Sequence, residues 1–347
     1  MSIILAFTSA MLFGLATPIS KTLLGGITPF QLAGLLYLGA SIGLLPRVVS
    51  NKGHEKVLGM GSANKLRLIG AIILGGIAGP LALLFGLRLA SASSVSMWLN
   101  LEMVFTVMLG HFLFDDYLGW LGWVGAAGAI SAAALLSWNG GMAGLTAGLL
   151  VALACLFWGF DNHFTALIDE ISPASNTFFK GLVAGTFNLT VGLIVATYGA
   201  SLVQTLGALG LGVFSYGLSI VFYIGAAHGL GATRAQIIFA SAPFFGVSGS
   251  ILILGERLSP VQIIAALVLV ASLVPLLIDK HLHAHEHRSL EHEHLHRHYE
   301  GHHEHSHEGS MLLNFLFHSH PHQHEELNHT HPHLPDIHHR HEHDEDN

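Results

Sequence analysis

Ionisable side chains are scarce between Met1 and Lys280, and three of them interrupt long apolar stretches: Glu102, Asp161 and Lys180. Asn162 and His163 follow Asp161 directly, and Trp158 precedes it by three positions. An ionised group at a bilayer centre costs about 2.5–3.5 kcal/mol on insertion scales, so each needs a partner or a water-filled cavity. On a continuous helix Trp98 and Thr106 share the face of Glu102, one turn to either side, and Thr165 and Trp158 neighbour Asp161 in the same way. Successive antiparallel helices bring Asp161 and Lys180 to similar depth. An ion pair between them serves equally as a fixed register contact or as part of a binding site. Glu102 has no Lys or Arg evidently at its depth, which makes it the stronger candidate to carry a proton or to meet an ammonium group. A protonated glutamic acid hydrogen-bonded between helices is the plainer alternative. The binding or coupling set is therefore Glu102, Trp158, Asp161, Asn162, His163 and Lys180. Trp98 and Tyr37 could line a cavity with Trp158, although aromatics at helical spacing more often pack or anchor, and His111 and His228 stand near helix ends.

A second chemistry lies in the stretch from His281 to Asn347, which holds 23 of the 27 histidines. They are His281, His283, His285, His287, His292, His294, His296 and His298, then His302, His303, His305, His307, His318, His320, His322 and His324, and last His329, His331, His333, His338, His339, His341 and His343. Neutral imidazole binds Zn²⁺, Ni²⁺, Co²⁺ and Cu²⁺, and a flexible His-x-His tract can gather several rings around one ion. Without cysteine or an ordered shell around the ligands, selectivity should follow the Irving–Williams order. A solvated tail whose histidines simply titrate near neutral pH is the alternative. The apolar run at residues 311–317 is too short to span and suits a membrane surface or a partner.

The elements that position these groups follow from composition. The chain is 51% hydrophobic and 10% charged, where a soluble domain has roughly a quarter charged residues. Residues 1–280 hold 11 Lys/Arg and 9 Asp/Glu, whereas the tail holds 3 and 13. Lipid offers no partner to free peptide groups, so crossings must be helices of about 20 apolar residues or strands of a closed barrel, and the runs here have helix length. Spans are expected at 3–20, 22–46, 68–87, 89–113, 144–167, 235–255 and 258–278, with a further one ending near Asn139 and two meeting near Tyr198-Gly199, ten in all. Arg47, Lys52, Lys56, Lys65 and Arg67 flank one loop, which places that loop, both termini and the tail in the cytoplasm. The apolar start at Ile3 reads as a retained helix. A single cysteine, Cys155, excludes an intrachain disulfide, and no basic cluster with interleaved aromatics invites nucleic acid.

Sliding the chain until Phe105 meets Phe245 also lays Val107, Leu118 and Ala126 on Val247, Leu258 and Ala266, and Asp116 on Glu256. Two halves of five helices are inverted relative to one another, an arrangement that commonly places a site near the midplane. Glycine pairs such as Gly75-Gly76 and Gly181 with Gly185 allow close helix contact, while Pro18, Pro80 and Pro243 should kink or open their spans.

Leu101-Glu102-Met103-Val104-Phe105-Thr106, running on to Phe114-Asp115-Asp116-Tyr117-Leu118, resembles the signature of EamA domains in the drug/metabolite transporter superfamily. A second copy runs from Ser241-Ala242-Pro243-Phe244-Phe245 to Leu254-Gly255-Glu256-Arg257-Leu258. Trp158-Gly159-Phe160-Asp161-Asn162-His163 with Lys180 is similar to a bacterial subgroup that carries a histidine-rich tail and usually has Asn where His163 stands. The resemblance implies an all-α polytopic fold of about ten transmembrane helices in two inverted five-helix repeats, 1–140 and 141–280, followed by a disordered cytoplasmic tail, 281–347. It further implies secondary transport of a small solute or metabolite in a bacterial cytoplasmic membrane. The expected partners are the bilayer, the solute, divalent metal ions on the tail and a second copy of the chain, with no cofactor for the membrane domain. The alternatives are a divalent-metal exporter and a membrane-anchored metal sensor or sequestering protein. Without a GxxxxGK[ST] loop there is no sequence basis for ATP drive, and no nucleophile with base and orienting group marks an enzyme.

Overall fold

The computed structural model of the chain describes residues 2–50, 57–113, 118–230, 238–278, 281–287, 291–296, 318–323 and 327–333. Expectations that fall on Lys52, Lys56, Phe114, Asp115, Asp116, Tyr117, Arg234, His298, His302, His303, His305, His307, His324, His338, His339, His341, His343 and residues 311–317 lie outside the described residues. Among the described residues, the first unit is a bundle of ten apolar helices. Eight are long and apolar enough to cross a membrane: α1 (Ser2–Leu23), α2 (Pro29–Ser50), α3 (Ser62–Leu89), α4 (Ala92–Leu113), α5 (Trp120–Asn139), α6 (Gly141–Ala166), α7 (Pro173–Val195) and α8 (Leu202–Ile224). Two further apolar helices, α9 (Ala242–Leu254) and α10 (Pro260–Ile278), complete it. This unit is all-α and the chain an integral membrane protein, as composition required.

Helix ends differ from the charge-free runs because a charged residue at a helix end finds partners there. Lys21 lies in the last turn of α1 rather than in a loop, and its Nζ donates to the carbonyls of Leu87 at 2.6 Å and Ala90 at 2.9 Å, at the C-terminal end of α3. Lys65 and Arg67 fall inside α3, and Lys180 inside α7. α7 starts at Pro173, ahead of the charge-free run, because Ser172 caps it by accepting the Ser175 N–H on its hydroxyl.

The two halves exchange contacts reciprocally. α1 packs on α8 and α9, and correspondingly α6 packs on α3 and α4, while α2 pairs with α7 and α5 with α10. Both third helices carry a π-helical segment, Ile72–Ala78 in α3 and Gly212–Leu218 in α8, and the slide that lays Phe105 on Phe245 also lays Ile72 on Gly212. In α3 the Gly79 N–H reaches back to the Leu74 carbonyl, so the next rung would join residue 80 to Gly75. Residue 80 is proline and has no N–H to give, which leaves the Gly75 carbonyl for side chains. Pro243, by contrast, stands in the first turn of α9 and interrupts nothing.

Polar contacts join the halves at each end. Glu256 accepts the N–H groups of Ala92 and Ser93 at 2.8 and 2.9 Å, capping α4 from the far half, and Gln262 Nε2 donates to the hydroxyls of Ser91, Ser93 and Ser94. Elsewhere Asn64 Nδ2 donates to Asp169 and Glu170, and Arg67 to the Leu167 carbonyl. The large apolar side chains left exposed, such as Ile4, Trp138, Leu193 and Leu252, suit a lipid surface.

The tail forms a separate unit, His281–His333. In it β1 (His281–His287) pairs antiparallel with β4 (Leu327–His333), and β2 (Glu291–His296) with β3 (His318–Gln323). Isolated two-stranded ladders are at best marginally stable in water, and these sequences supply few apolar residues, in keeping with the disordered tail that composition implies.

Candidate functional site

The fourth span is discontinuous. It runs as Ala92–Trp98, turns at Leu99 and Asn100, and resumes as Leu101–Leu113, so Glu102 stands in the first turn of a half-helix. A negative side chain there is stabilised by the aligned peptide dipoles. Trp98 is 1% exposed and donates its indole N–H to the Ala133 carbonyl at 3.1 Å, a packing role.

α6 lies against this half-helix and brings its polar run to it. Asn162 Nδ2 donates to Glu102 Oε1 and to Thr106 Oγ1, each at 3.1 Å, while Thr106 Oγ1 donates to the Glu102 carbonyl at 2.8 Å. His163 is 2% exposed with Nε2 at 2.9 Å from the Thr106 carbonyl, so that nitrogen is the donor. A ring N–H thus does here what an amide N–H could do.

One residue back, Asp161 turns toward α7. Lys180 Nζ sits 3.0 and 2.7 Å from its two carboxylate oxygens, and Thr165 Oγ1 adds a bond at 3.1 Å. The two side chains are only 14% and 9% exposed, for Lys180 and Asp161 respectively. The π segment of α3 closes the site from the other side. A methyl group on Gly75 would overlap the Asp161 carboxylate, so only glycine allows this approach. The Gly75 carbonyl accepts from Tyr37 Oη at 2.6 Å and Trp158 Nε1 at 3.1 Å, and the Gly76 carbonyl from Asn188 Nδ2 at 3.2 Å. These side chains answer the donor missing at Pro80.

All six sequence candidates therefore belong to one polar region built on two pairs, Glu102 with Asn162 and Asp161 with Lys180, with Trp158 on the Gly75 carbonyl and His163 on the Thr106 carbonyl. Tyr216 and Asn188 went unnoticed in the sequence. Tyr216 stands in the π segment of α8, its ring 5.6 Å from that of Tyr37 and 6.0 Å from that of Phe13. His111 packs edge-on against Trp123. Among the described residues no three of His, Cys, Asp and Glu converge as a metal site.

Comparison with known proteins gives three findings. The model of the EamA-like transporter family matches residues 1–138 and 145–278. An uncharacterized transporter of Methanothermobacter thermautotrophicus is 26% identical over 284 residues, which cover 76% of this chain and 82% of that protein. A protein of known crystal structure superposes with a TM-score of 0.57 at 14% identity, over 79% of this chain and 96% of the other, a likeness of fold.

Proposed function

The chain belongs to the EamA-like transporter family, and from that premise we propose that it is a secondary transporter of a small solute or metabolite. The pathway we infer passes Glu102, with Asn162, Trp158, Asp161, His163 and Lys180 around it. One observation carries the reading: a half-buried carboxylate stands in the first turn of a broken helix, held by a neutral amide rather than by a cation. Broken helices at the interface of inverted repeats are where secondary transporters bind their cargo. In this reading Glu102 exchanges a proton or a solute charge during the cycle, and Asn162 fixes its orientation. Asp161 and Lys180 neutralise one another and tie α6 to α7, while Tyr37 and Trp158 hold the Gly75 carbonyl and with it the π segment.

The positive charges around the loop after α2 support cytoplasmic termini. Imidazole density supports a tail that binds Zn²⁺, Ni²⁺, Co²⁺ or Cu²⁺ outside the transport pathway, and a homodimer is included in the proposal. The metal-exporter alternative is the weaker one, because His163 Nε2 is engaged with Thr106 and Asp161 with Lys180.

Flux in proteoliposomes made with the full chain tests the proposal. A solute gradient should move protons or a pH gradient should move solute, and Glu102→Gln, which keeps shape but cannot ionise, should abolish the coupling at normal expression. Uptake by Glu102→Gln at the normal rate and with the normal pH dependence would remove Glu102 from the mechanism.

A further inference from the structure

Helix packing divides the bundle around the site. α1 packs on α8 and α9, and α6 on α3 and α4, which gives two groups of three helices. The hairpin from α3 to α4 lies at the end of the bundle opposite the N-terminus and leads into the broken span that carries Glu102. The α1 group holds this hairpin on both sides. Lys21, in the last turn of α1, donates to the Leu87 and Ala90 carbonyls at 2.6 and 2.9 Å, and Glu256, just past α9, accepts the Ala92 and Ser93 N–H groups at 2.8 and 2.9 Å. Gln262, in the first turn of α10, adds bonds to the hydroxyls of Ser91, Ser93 and Ser94 at 3.3, 3.1 and 2.9 Å.

These contacts are built to open as well as to close. Carbonyls at the end of α3 and N–H groups at the start of α4 have no partner within their own helices, so water can take them when the side chains leave. Lys21 and Glu256 are half-buried at helix ends, where a released charge meets water. A cavity of about 320 Å³ lies against the same bonds, lined by Ser91, Ser94, Trp98, Asn139, Ser259 and Gln262. Gly255 aims the carboxylate: at φ 66° it ends α9 in the left-handed region, and the Gly255 and Glu256 N–H groups turn back to the Ile251 and Ser250 carbonyls at 3.1 and 3.2 Å. The Asp161 and Lys180 pair is the opposite case. It lies within its helices, with side chains only 9% and 14% exposed, and has no such access to water.

Resting on the transporter reading, we propose that Lys21, Glu256 and Gln262 form a reversible latch that closes the pathway between the two helix groups at this end. Its release lets the groups part there and exposes the region of Glu102 to that side of the membrane. The latch residues position the helices and do not touch the solute.

The test is the distance between spin labels on Leu149→Cys of α6 and Leu252→Cys of α9, both exposed positions in the halves of their helices nearest this end. It is measured by pulsed electron spin resonance on the full chain with Cys155→Ala, in lipid nanodiscs without solute. The parent should give mainly the short distances of the latched state. Glu256→Ala should raise the ratio of long to short distances about tenfold or more, as loss of hydrogen bonds to a charged group predicts, and Lys21→Met should act in the same direction. Gln262→Ala, which removes neutral bonds only, should do so more weakly. Asn64→Ala cuts contacts to Asp169 and Glu170 at the opposite end, and should leave the ratio as in the parent. Should Glu256→Ala fold poorly, Glu256→Gln keeps one acceptor and should shift the ratio in the same direction by less. A ratio unchanged in the Glu256 and Lys21 variants, an equal rise in Asn64→Ala, or a parent dominated by long distances would overturn the latch. No solute is present, so that failure is separate from failure of the transporter reading, which flux in proteoliposomes decides.

Discussion

Lys180 on α7 closes on both carboxylate oxygens of Asp161 on α6, at 3.0 and 2.7 Å, directly against the glycine backbone of the π segment in α3. Three helices from both halves thus meet at one ion pair. Removing one partner of a buried pair leaves an uncompensated charge and costs about 3–5 kcal/mol. Asp161→Asn should therefore unfold well below the parent midpoint and transport poorly, and adding Lys180→Met should restore both. A double variant as impaired as the single one would mean that the pair contacts solute and does more than balance charge.

Gly75 is expected to tolerate no side chain, since a methyl group there would overlap Asp161. Gly75→Ala should lower the unfolding midpoint and disrupt the pair. Gly199→Ala, where an added methyl would meet nothing within 4 Å, should behave as the parent. Equal behaviour of the two variants would mean that α3 can shift away at little cost.

Much of the site was legible because a polar residue in an apolar run has few innocent explanations. Glu102, Asp161, Asn162, His163 and Lys180 stood out by type alone, and the antiparallel course of successive helices set Asp161 and Lys180 at matching depth. Three features were not legible. The break at Leu99 and Asn100 has no proline or glycine to announce it. The π segment of α8 is preceded and followed by ordinary apolar residues, so Tyr216 looked like one more aromatic in a span. Pro80 was a usable signal for α3, because a missing N–H implies an unpaired carbonyl near it, but which side chains would answer it depends on helices far away in sequence. Helix ends were misplaced where Lys21 and Lys65 lie within helices, since charge-free runs stop at residues that helices readily include.

For the tail, calorimetry on a peptide covering residues 281–343 should show Zn²⁺, Ni²⁺ and Cu²⁺ binding at about pH 7.5. Metal takes the neutral imidazole, whose ordinary pKa is about 6.5, so lowering the pH adds a competing proton and affinity should fall steeply below about pH 6. Deletion of the tail should leave membrane insertion and solute flux unchanged. Absence of binding at neutral pH would leave a solvated tail.

Topology is open to direct labelling, since the buried Cys155 is the single cysteine and can be replaced by alanine. A new cysteine in the tail should react with an impermeant maleimide only after cells are permeabilised. Reaction in intact cells would place the tail outside.

The central claim is that Glu102 borders the pathway rather than a sealed helix contact, and its accessibility measures this without a known substrate. Glu102→Cys on the Cys155→Ala background should react with a charged, water-soluble methanethiosulfonate in oriented vesicles from at least one side of the membrane. No reaction from either side, in protein that reacts fully once unfolded in dodecyl sulfate, would contradict the account.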